Sequence, residues 1–162
     1  MKTKTLLRMA GACLASLMFL AGAAMAQQGS ESAERQIFEA ANQARRAQGL
    51  ARLKWNDGLA RAAQQHANAM ARKDSLSHQL PGEPGLELRA SHAGVYFISL
   101  SENVAQGPDA ANISDQWTKS PEHRQNLLDP DMNVIGVGVA ERDGQLFAVE
   151  DFAKIKPPTP VP

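Results

Sequence analysis

The sequence predicts an α+β domain in which helices cover an antiparallel sheet, and three features support this class. The first half of the chain contains two long segments whose apolar residues recur at helical spacing. Residues 133–153 contain two apolar strand patterns separated only by Asp143 and Gly144, a pair typical of two-residue hairpins. Between these regions, residues 109–128 again have helical spacing. A doubly wound parallel sheet is disfavoured because the two clearest strands are joined by a turn and not by a helix.

The two long helices begin and end at recognisable signals. The first is expected from about Ser32 to Gln48, where Gly49 ends it. The second is expected after Asn56 or Asp57, because either side chain can cap a helix. Its apolar stripe consists of Leu59, Ala62, Ala63, His66 and Met70.

The other helices are shorter. Residues 86–92 and 109–119 are expected to form two of them. Pro121 fits the first position of a further helix of one or two turns, and Ser120 has the side chain of an N-cap. The backbone at His123, which lies within the first turn, is therefore expected to be well defined.

Extended structure is expected in two regions. Residues 95–104 are rich in β-branched and aromatic side chains. In the strand that precedes the hairpin, β-branched residues occupy one face, and Gly136 and Gly138 occupy the other. Glycines on one face of a strand allow another element to pack closely on its backbone.

Residues 1–26 are expected to be a secretory signal peptide. A basic start precedes an apolar run, and residues 24–26 are Ala-Met-Ala, an A-x-A cleavage pattern. The alternative of a membrane anchor is disfavoured because the run is shorter than the roughly 20 residues that span a bilayer. Lipidation of Cys13 is also disfavoured, since Cys13 lies at the start of the apolar run and a lipidated cysteine would follow it. The folded domain is expected over residues 33–153 and a flexible proline-rich tail over residues 154–162.

The composition after signal cleavage excludes some classes of partner. The single cysteine of the chain lies within the signal, so the mature domain must be stabilised by its core and not by disulfides. The signal contains three of the 17 basic residues and none of the 17 acidic ones, which leaves a net charge of −3. Proteins that bind nucleic acid or anionic membranes have a clear excess of basic residues, which this chain lacks. Neither is therefore expected as the main partner.

The four histidines differ in their expected roles. His66 lies on the apolar stripe of the second helix, so burial in the core is the expected role. His92 lies near a loop and is expected at the surface. His78 follows the second helix in a loop with prolines and glycines, where side chains are often displayed for function. His123 has the defined backbone described above.

Glu102 is the carboxylate that these imidazoles could meet. It lies in an otherwise apolar segment, where a carboxylate is unusual unless it is paired or hydrogen-bonded. A solvated carboxylate at the strand edge remains the open alternative. If Glu102 is buried beside an imidazole, both groups favour their charged forms. Asn103 and Asn126 are expected to tie loops through side-chain hydrogen bonds.

The spacing of these groups does not identify their chemistry. Zinc motifs such as H-E-x-x-H place two ligands on one helical face, and His78, Glu102 and His123 do not follow that pattern. The chain also has no G-x-S-x-G motif to support a serine nucleophile. The residues alone therefore predict a cleft and leave its chemistry open.

The chain contains five motif segments in a characteristic order: LKWNDGLARAAQQHANAMA, SLSH, SENVA, QWTKSPEHRQNLLDP and NVIGVGVAERDGQLFAVEDFA. In order and spacing they resemble the bacterial branch of the CAP superfamily, also called the SCP-like extracellular domain. The resemblance covers roughly residues 33–153, and the pattern W-x-x-S-P-x-H-R-x-N-[IL]-L is highly specific. It implies a three-layer α-β-α sandwich around a small antiparallel sheet.

The resemblance also implies a functional site. His78, Glu102 and His123 match the two histidines and the glutamate of the family's central cleft. Members of the family bind divalent metals there, so the resemblance implies a cation such as Zn²⁺ held by His78 and His123. Some members bind sterols, fatty acids or partner proteins. Many eukaryotic members have a second glutamate three residues after the cleft tryptophan, but here Ser120 follows Trp117 at that spacing.

Two functions are compatible with these observations. The favoured one is an exported binding or interaction module, periplasmic or secreted, without a membrane anchor after signal cleavage. Its cleft would take a divalent metal, a small ligand, a lipid or a protein. The alternative is a metal-assisted hydrolase, a protease or an envelope-directed enzyme, in which Glu102 activates water. A third possibility is a structural hydrogen-bond network without a ligand.

Overall fold

A computed structural model describes residues 29–155 of the chain. The predicted signal peptide, residues 1–26, and residues 156–162 of the predicted tail lie outside the described residues. In chain order the elements are α1 (29–47), β1 (Lys54–Trp55), α2 (Asp57–Lys73), α3 (Leu86–His92), β2 (Ser99–Gly107), α4 (Ala110–Lys119), α5 (Pro121–Leu127), β3 (Val134–Arg142) and β4 (Gln145–Lys154).

The predicted α+β class is confirmed, with one difference in the sheet. The strands lie in the order β1-β3-β4-β2, and β3, β4 and β2 are antiparallel to their neighbours as expected. The short strand β1 pairs parallel with β3, so the sheet is mixed. The sequence did not predict β1, because two residues are too few to establish a strand periodicity.

Helices cover both faces of the sheet. On one face, the largest apolar cluster joins Ile37 of α1 and Trp117 of α4 to Val137 of β3 and Phe152 of β4. Leu127 of α5 belongs to the same cluster. This face is thus covered by α1, α4 and α5.

The opposite face of the sheet is covered by α2. Gly136 and Gly138 of β3 lie directly under this helix: a Cβ at Gly136 would lie 2.1 Å from the backbone nitrogen of Ala60. The side chain of Gln64 fixes the contact, because Oε1 accepts from the backbone N–H of Val139 at 2.9 Å and Nε2 donates to its carbonyl oxygen at 2.8 Å. The close packing that the two glycines predicted is therefore present.

The predicted ends of the elements were mostly correct. Asn56 caps α2 by accepting from the backbone N–H of Leu59 at 2.9 Å, and Pro121 occupies the first turn of α5. Asp143 and Gly144 have φ values of 50° and 74°, as a two-residue hairpin with two left-handed positions requires. The strand β4 extends to Lys154, the first residue of the tail expected over residues 154–162.

Two expectations were wrong in detail. The extended segment expected at residues 95–104 forms a strand only from Ser99, because residues 93–98 are used to leave α3 and reach the sheet. Ser120 precedes α5 with extended backbone, but its side chain makes no capping hydrogen bond. Its backbone joins the two helices: its N–H closes α4 on Gln116, and its carbonyl oxygen accepts the first hydrogen bond of α5 from the N–H of Arg124.

Replacing Gly138 by Ala should destabilise the domain. The new Cβ would lie 2.2 Å from the backbone nitrogen of Gln64, so helix and strand would have to separate. Overpacking of this kind costs about 1–3 kcal/mol, which urea unfolding can measure. Gly29→Ala is the control, because nothing lies within 4 Å of the Cβ position there. Equal stability of both variants would contradict the close packing of α2 on β3.

Candidate functional site

An open cleft of about 470 Å³ lies at the edge of the sheet that β2 forms. Its lining residues are His78, Gln79, Gly85, Leu86, Glu102, Glu122, His123 and Asn126. His78 comes from the loop after α2, on one side of the sheet, and His123 comes from α5 on the other. The structure therefore brings His78, Glu102 and His123, which the resemblance to the CAP family singled out, into one cleft.

Glu102 is buried at the base of the cleft and uses both carboxylate oxygens. Oε1 accepts from Nδ1 of His78 at 2.9 Å, and Oε2 accepts from Nη2 of Arg89. Because a carboxylate only accepts hydrogen bonds, Nδ1 of His78 must carry the hydrogen. This leaves Nε2 as the ring nitrogen of His78 that is available to a ligand.

The interaction with Glu102 also favours a charged His78. The hydrogen bond and the negative charge of Glu102 raise the pKa of His78, while desolvation and the positive charge of Arg89 partly oppose them. The side chain of His78 is 61% exposed, so solvent contacts the imidazole whose pKa is raised. A charged, exposed imidazole at the mouth of a cleft can meet a polar ligand.

The loop that carries His78 is held by two buried side chains. Nη1 of Arg89 donates to the carbonyl oxygens of His78 and Pro84, at 3.2 and 3.1 Å. His66, which is fully buried as the sequence predicted, bonds the carbonyl oxygen of Ser77 through Nε2 at 2.8 Å. Its Nδ1 lies 2.9 Å from the carboxylate of Glu83. These contacts fix the backbone on which His78 stands.

His123 has a different environment. Desolvation and the nearby charge of His78 lower its pKa, and the charge of Glu122 partly opposes this effect. Its Nδ1 is buried and has no hydrogen-bond partner among the described residues. His123 therefore favours its neutral form, whereas His78 favours its charged form.

Two asparagines join β2 to α5. Nδ2 of Asn126 donates to the carbonyl oxygen of Glu102 at 3.1 Å and to Oδ1 of Asn103 at 3.0 Å. Nδ2 of Asn103 donates to the carbonyl oxygen of His123 at 3.1 Å and to Oε2 of Glu150 at 3.2 Å. The expected side-chain hydrogen bonds are present, but they join a strand to a helix and not two loops.

Sequence reasoning missed three buried charged residues: Arg89, Glu150 and Asp151. Burial raises the pKa of Glu150 to about 8, against the hydrogen bond from Asn103. Burial, and then the charge of Glu102, raises the pKa of Asp151 well above its usual range. The sequence did contain a signal for the two acids, because consecutive carboxyls within the apolar strand LFAVEDFA are as unusual as Glu102 in β2.

The cleft fits a metal ion only in part. Residues 29–155 contain no group of three His, Cys, Asp or Glu side chains arranged to hold one. Both oxygens of Glu102 already accept hydrogen bonds from His78 and Arg89, so a cation would have to share the carboxylate with these two donors. Protein zinc sites use three or four protein ligands, so two imidazoles would leave the other positions to water or a bound molecule.

The chain matches one family of known proteins over most of the described residues. Residues 38–152 match the model of the CAP family, described as the cysteine-rich secretory protein family. The chain therefore belongs to the CAP family.

Two of the proteins that this chain is similar to come from Bacillus species. The chain is 32% identical over 124 residues to the protein YkwD of Bacillus subtilis, and the match covers 75% of this chain and 47% of YkwD. An extracellular protein of Bacillus anthracis with an SCP domain is 28% identical, with a TM-score of 0.76 over 80% of this chain and 43% of that one. The chain thus spans less than half the length of these two relatives.

A more distant structure has the same fold. An outer surface protein of Borrelia burgdorferi has a TM-score of 0.71 at 21% identity, over 77% of this chain and 94% of that one.

Within residues 29–155, no helix combines the length and apolar character needed to cross a membrane.

The substitution Glu102→Gln should lower the pKa of His78 toward 6.5, because it removes the negative charge and replaces the carboxylate acceptor with a neutral amide oxygen. Titration by NMR measures this shift. In the wild type, the stability due to this pair is fully present below pH 6.5 and is lost as the pH rises through the raised pKa. The stability of Glu102→Gln should not fall in this way as the pH rises. The variant should also be about 3 kcal/mol less stable, because Arg89 is left buried without its partner.

Glu122→Gln provides the control for that experiment. Glu122 lines the same cleft, but its charge acts on His123. The substitution Glu122→Gln should lower the pKa of His123 further and leave the pKa of His78 unchanged. If Glu102→Gln left the His78 titration as it is in the wild type, the hydrogen bond between them would not exist in solution.

Proposed function

We propose that this chain is an exported binding module whose cleft takes a ligand between His78 and His123. The observation that carries the proposal is the use of both Glu102 oxygens within the protein. Glu102 then acts as the residue that orients His78, with the ring nitrogen Nε2 left for a ligand. The predicted signal peptide and the extracellular description of the Bacillus anthracis protein support the exported location.

The two histidines provide complementary recognition groups. His78 is an exposed imidazole that favours its charged form, and His123 is an imidazole that favours its neutral form. The cleft of about 470 Å³ is large enough for a small molecule or for one segment of a larger partner. Lipid and protein partners remain within this proposal.

The alternative of a metal-assisted hydrolase has less support. A general base must accept a proton from water, and it must lie within hydrogen-bond reach of that water. Both oxygens of Glu102 are already hydrogen-bonded to the side chains of His78 and Arg89. Ser120 stands where many family members have the second cleft glutamate, so the cleft has no replacement base at that position.

A divalent cation held by the two imidazoles stays a prediction, and Zn²⁺ alone is its probe. In calorimetric and thermal-unfolding titrations of the chain from Gln27 onward, Zn²⁺ should bind and raise the Tm. At 100 times its dissociation constant, a ligand that binds only the folded state stabilises it by about 2.7 kcal/mol. The double variant His78→Ala/His123→Ala should lose both effects.

His92→Ala is the matched control, because His92 is an exposed histidine that does not line the cleft. It should bind Zn²⁺ like the wild type. Binding that survives in the double variant would place the ion elsewhere, and no binding to the wild type would exclude the cation. Cleavage of casein or cell-wall material by the wild type with Zn²⁺, lost in Glu102→Gln, would establish the hydrolase instead.

A further inference from the structure

Asp151 is a buried carboxyl that takes part in none of the cleft contacts described above. It lies in β4 with no solvent exposure, and neither Oδ1 nor Oδ2 has a hydrogen-bond donor among the described residues. An ionised carboxylate that is fully buried without a donor is among the most costly groups in a protein interior. The state of Asp151 therefore requires an explanation.

The strand register indicates its partner. Asp151 lies directly opposite Glu102 of β2, so both side chains project from the same face of the sheet. On its other side, Asp151 is opposite Gly136 of β3, which has no side chain. The charged groups that act on Asp151 are Glu102 and Arg89, and Glu102 is also 4.0 Å from Nε2 of the buried His66.

Two facing carboxyls at this depth share one proton more readily than they both ionise. Glu102 has two donors that stabilise its charge, His78 and Arg89. Asp151 has none, so the proton belongs on Asp151. A carboxylate has about four lone-pair positions, so Glu102 can accept a third hydrogen bond.

We propose that Asp151 is a positioning residue of the cleft, which as a carboxylic acid donates a hydrogen bond to Glu102 and keeps that carboxylate aligned on His78. With Arg89 and Asp151 both holding Glu102, its Oε1 stays in place to receive Nδ1–H of His78. Asp151 thus decides, through Glu102, which ring nitrogen of His78 is left for a ligand. The inference relies on the proposed function only in treating the cleft as a binding site.

The neighbouring residue Glu150 supplies a matched control. It is as deeply buried as Asp151 and lies in the same strand, but it points to the other face of the sheet and meets Asn103. Substitutions at Glu150 should therefore lower stability without reaching the contact between Glu102 and His78.

The test is the position of the ring hydrogen of neutral His78 in the ligand-free chain, read from ¹⁵N chemical shifts. Asp151→Asn should keep the hydrogen on Nδ1, because an amide donates to Glu102 as the acid does. Asp151→Ala removes the donor, so a larger fraction of His78 should carry its hydrogen on Nε2. Glu150→Ala should leave the wild-type distribution.

A second measurement counts protons. The raised pKa of Asp151 means that the folded state holds a proton that the unfolded state releases at neutral pH, so stability falls as the pH rises. In Asp151→Asn, unfolding at pH 7 should release about one proton fewer than in the wild type. This count does not require the Ala variant to fold.

The outcomes separate this inference from the proposed function, because no ligand is involved. An unchanged proton count in Asp151→Asn would mean that Asp151 is ionised and would overturn the proposal. A shift of His78 to the Nε2–H form in Asp151→Asn, or an equal shift in Asp151→Ala and Glu150→Ala, would also overturn it. Failure of Zn²⁺ to bind would affect only the proposed function.

Discussion

The buried carboxylate of Glu102 is the interaction on which the cleft depends. Its side chain is 3% exposed and that of its partner Arg89 is 4% exposed, so each charge is tolerated only because the other is present. The same Arg89 holds the backbone of the loop on which His78 stands. One ion pair therefore explains both the charged residue within an apolar strand and the orientation of the first cleft histidine.

The location of the cleft follows from the exposed edge of the sheet. An edge strand presents unpaired backbone groups that must be covered. Here the side chain of Asn126 donates to the carbonyl oxygen of Glu102, and that of Gln116 donates to the carbonyl oxygen of Gln106 at 3.0 Å. The helices α4 and α5 thus protect the edge of β2, and this arrangement places His123 opposite His78. Protection of the edge and construction of the cleft use the same contacts.

Local signals predicted the elements well where a single residue decides the backbone, as at Asn56 and at the hairpin of Asp143 and Gly144. They failed in part at Ser120, which precedes α5 as predicted but whose side chain makes no capping hydrogen bond. The resemblance placed His78, Glu102 and His123 in one cleft, but it did not indicate the roles of Arg89 and Asp151. Those roles depend on strand register and on a contact between distant segments, which no local pattern encodes.

A crystal structure of the ligand-free chain is the most direct test of the central claim, that Glu102 joins Arg89 to His78 at the base of the cleft. We expect Nδ1 of His78 to lie about 2.9 Å from Oε1 of Glu102, with Arg89 on the other oxygen. We also expect His123 to line the same cleft. A structure in which Glu102 meets Arg89 alone, with His78 turned into solvent, would contradict the account.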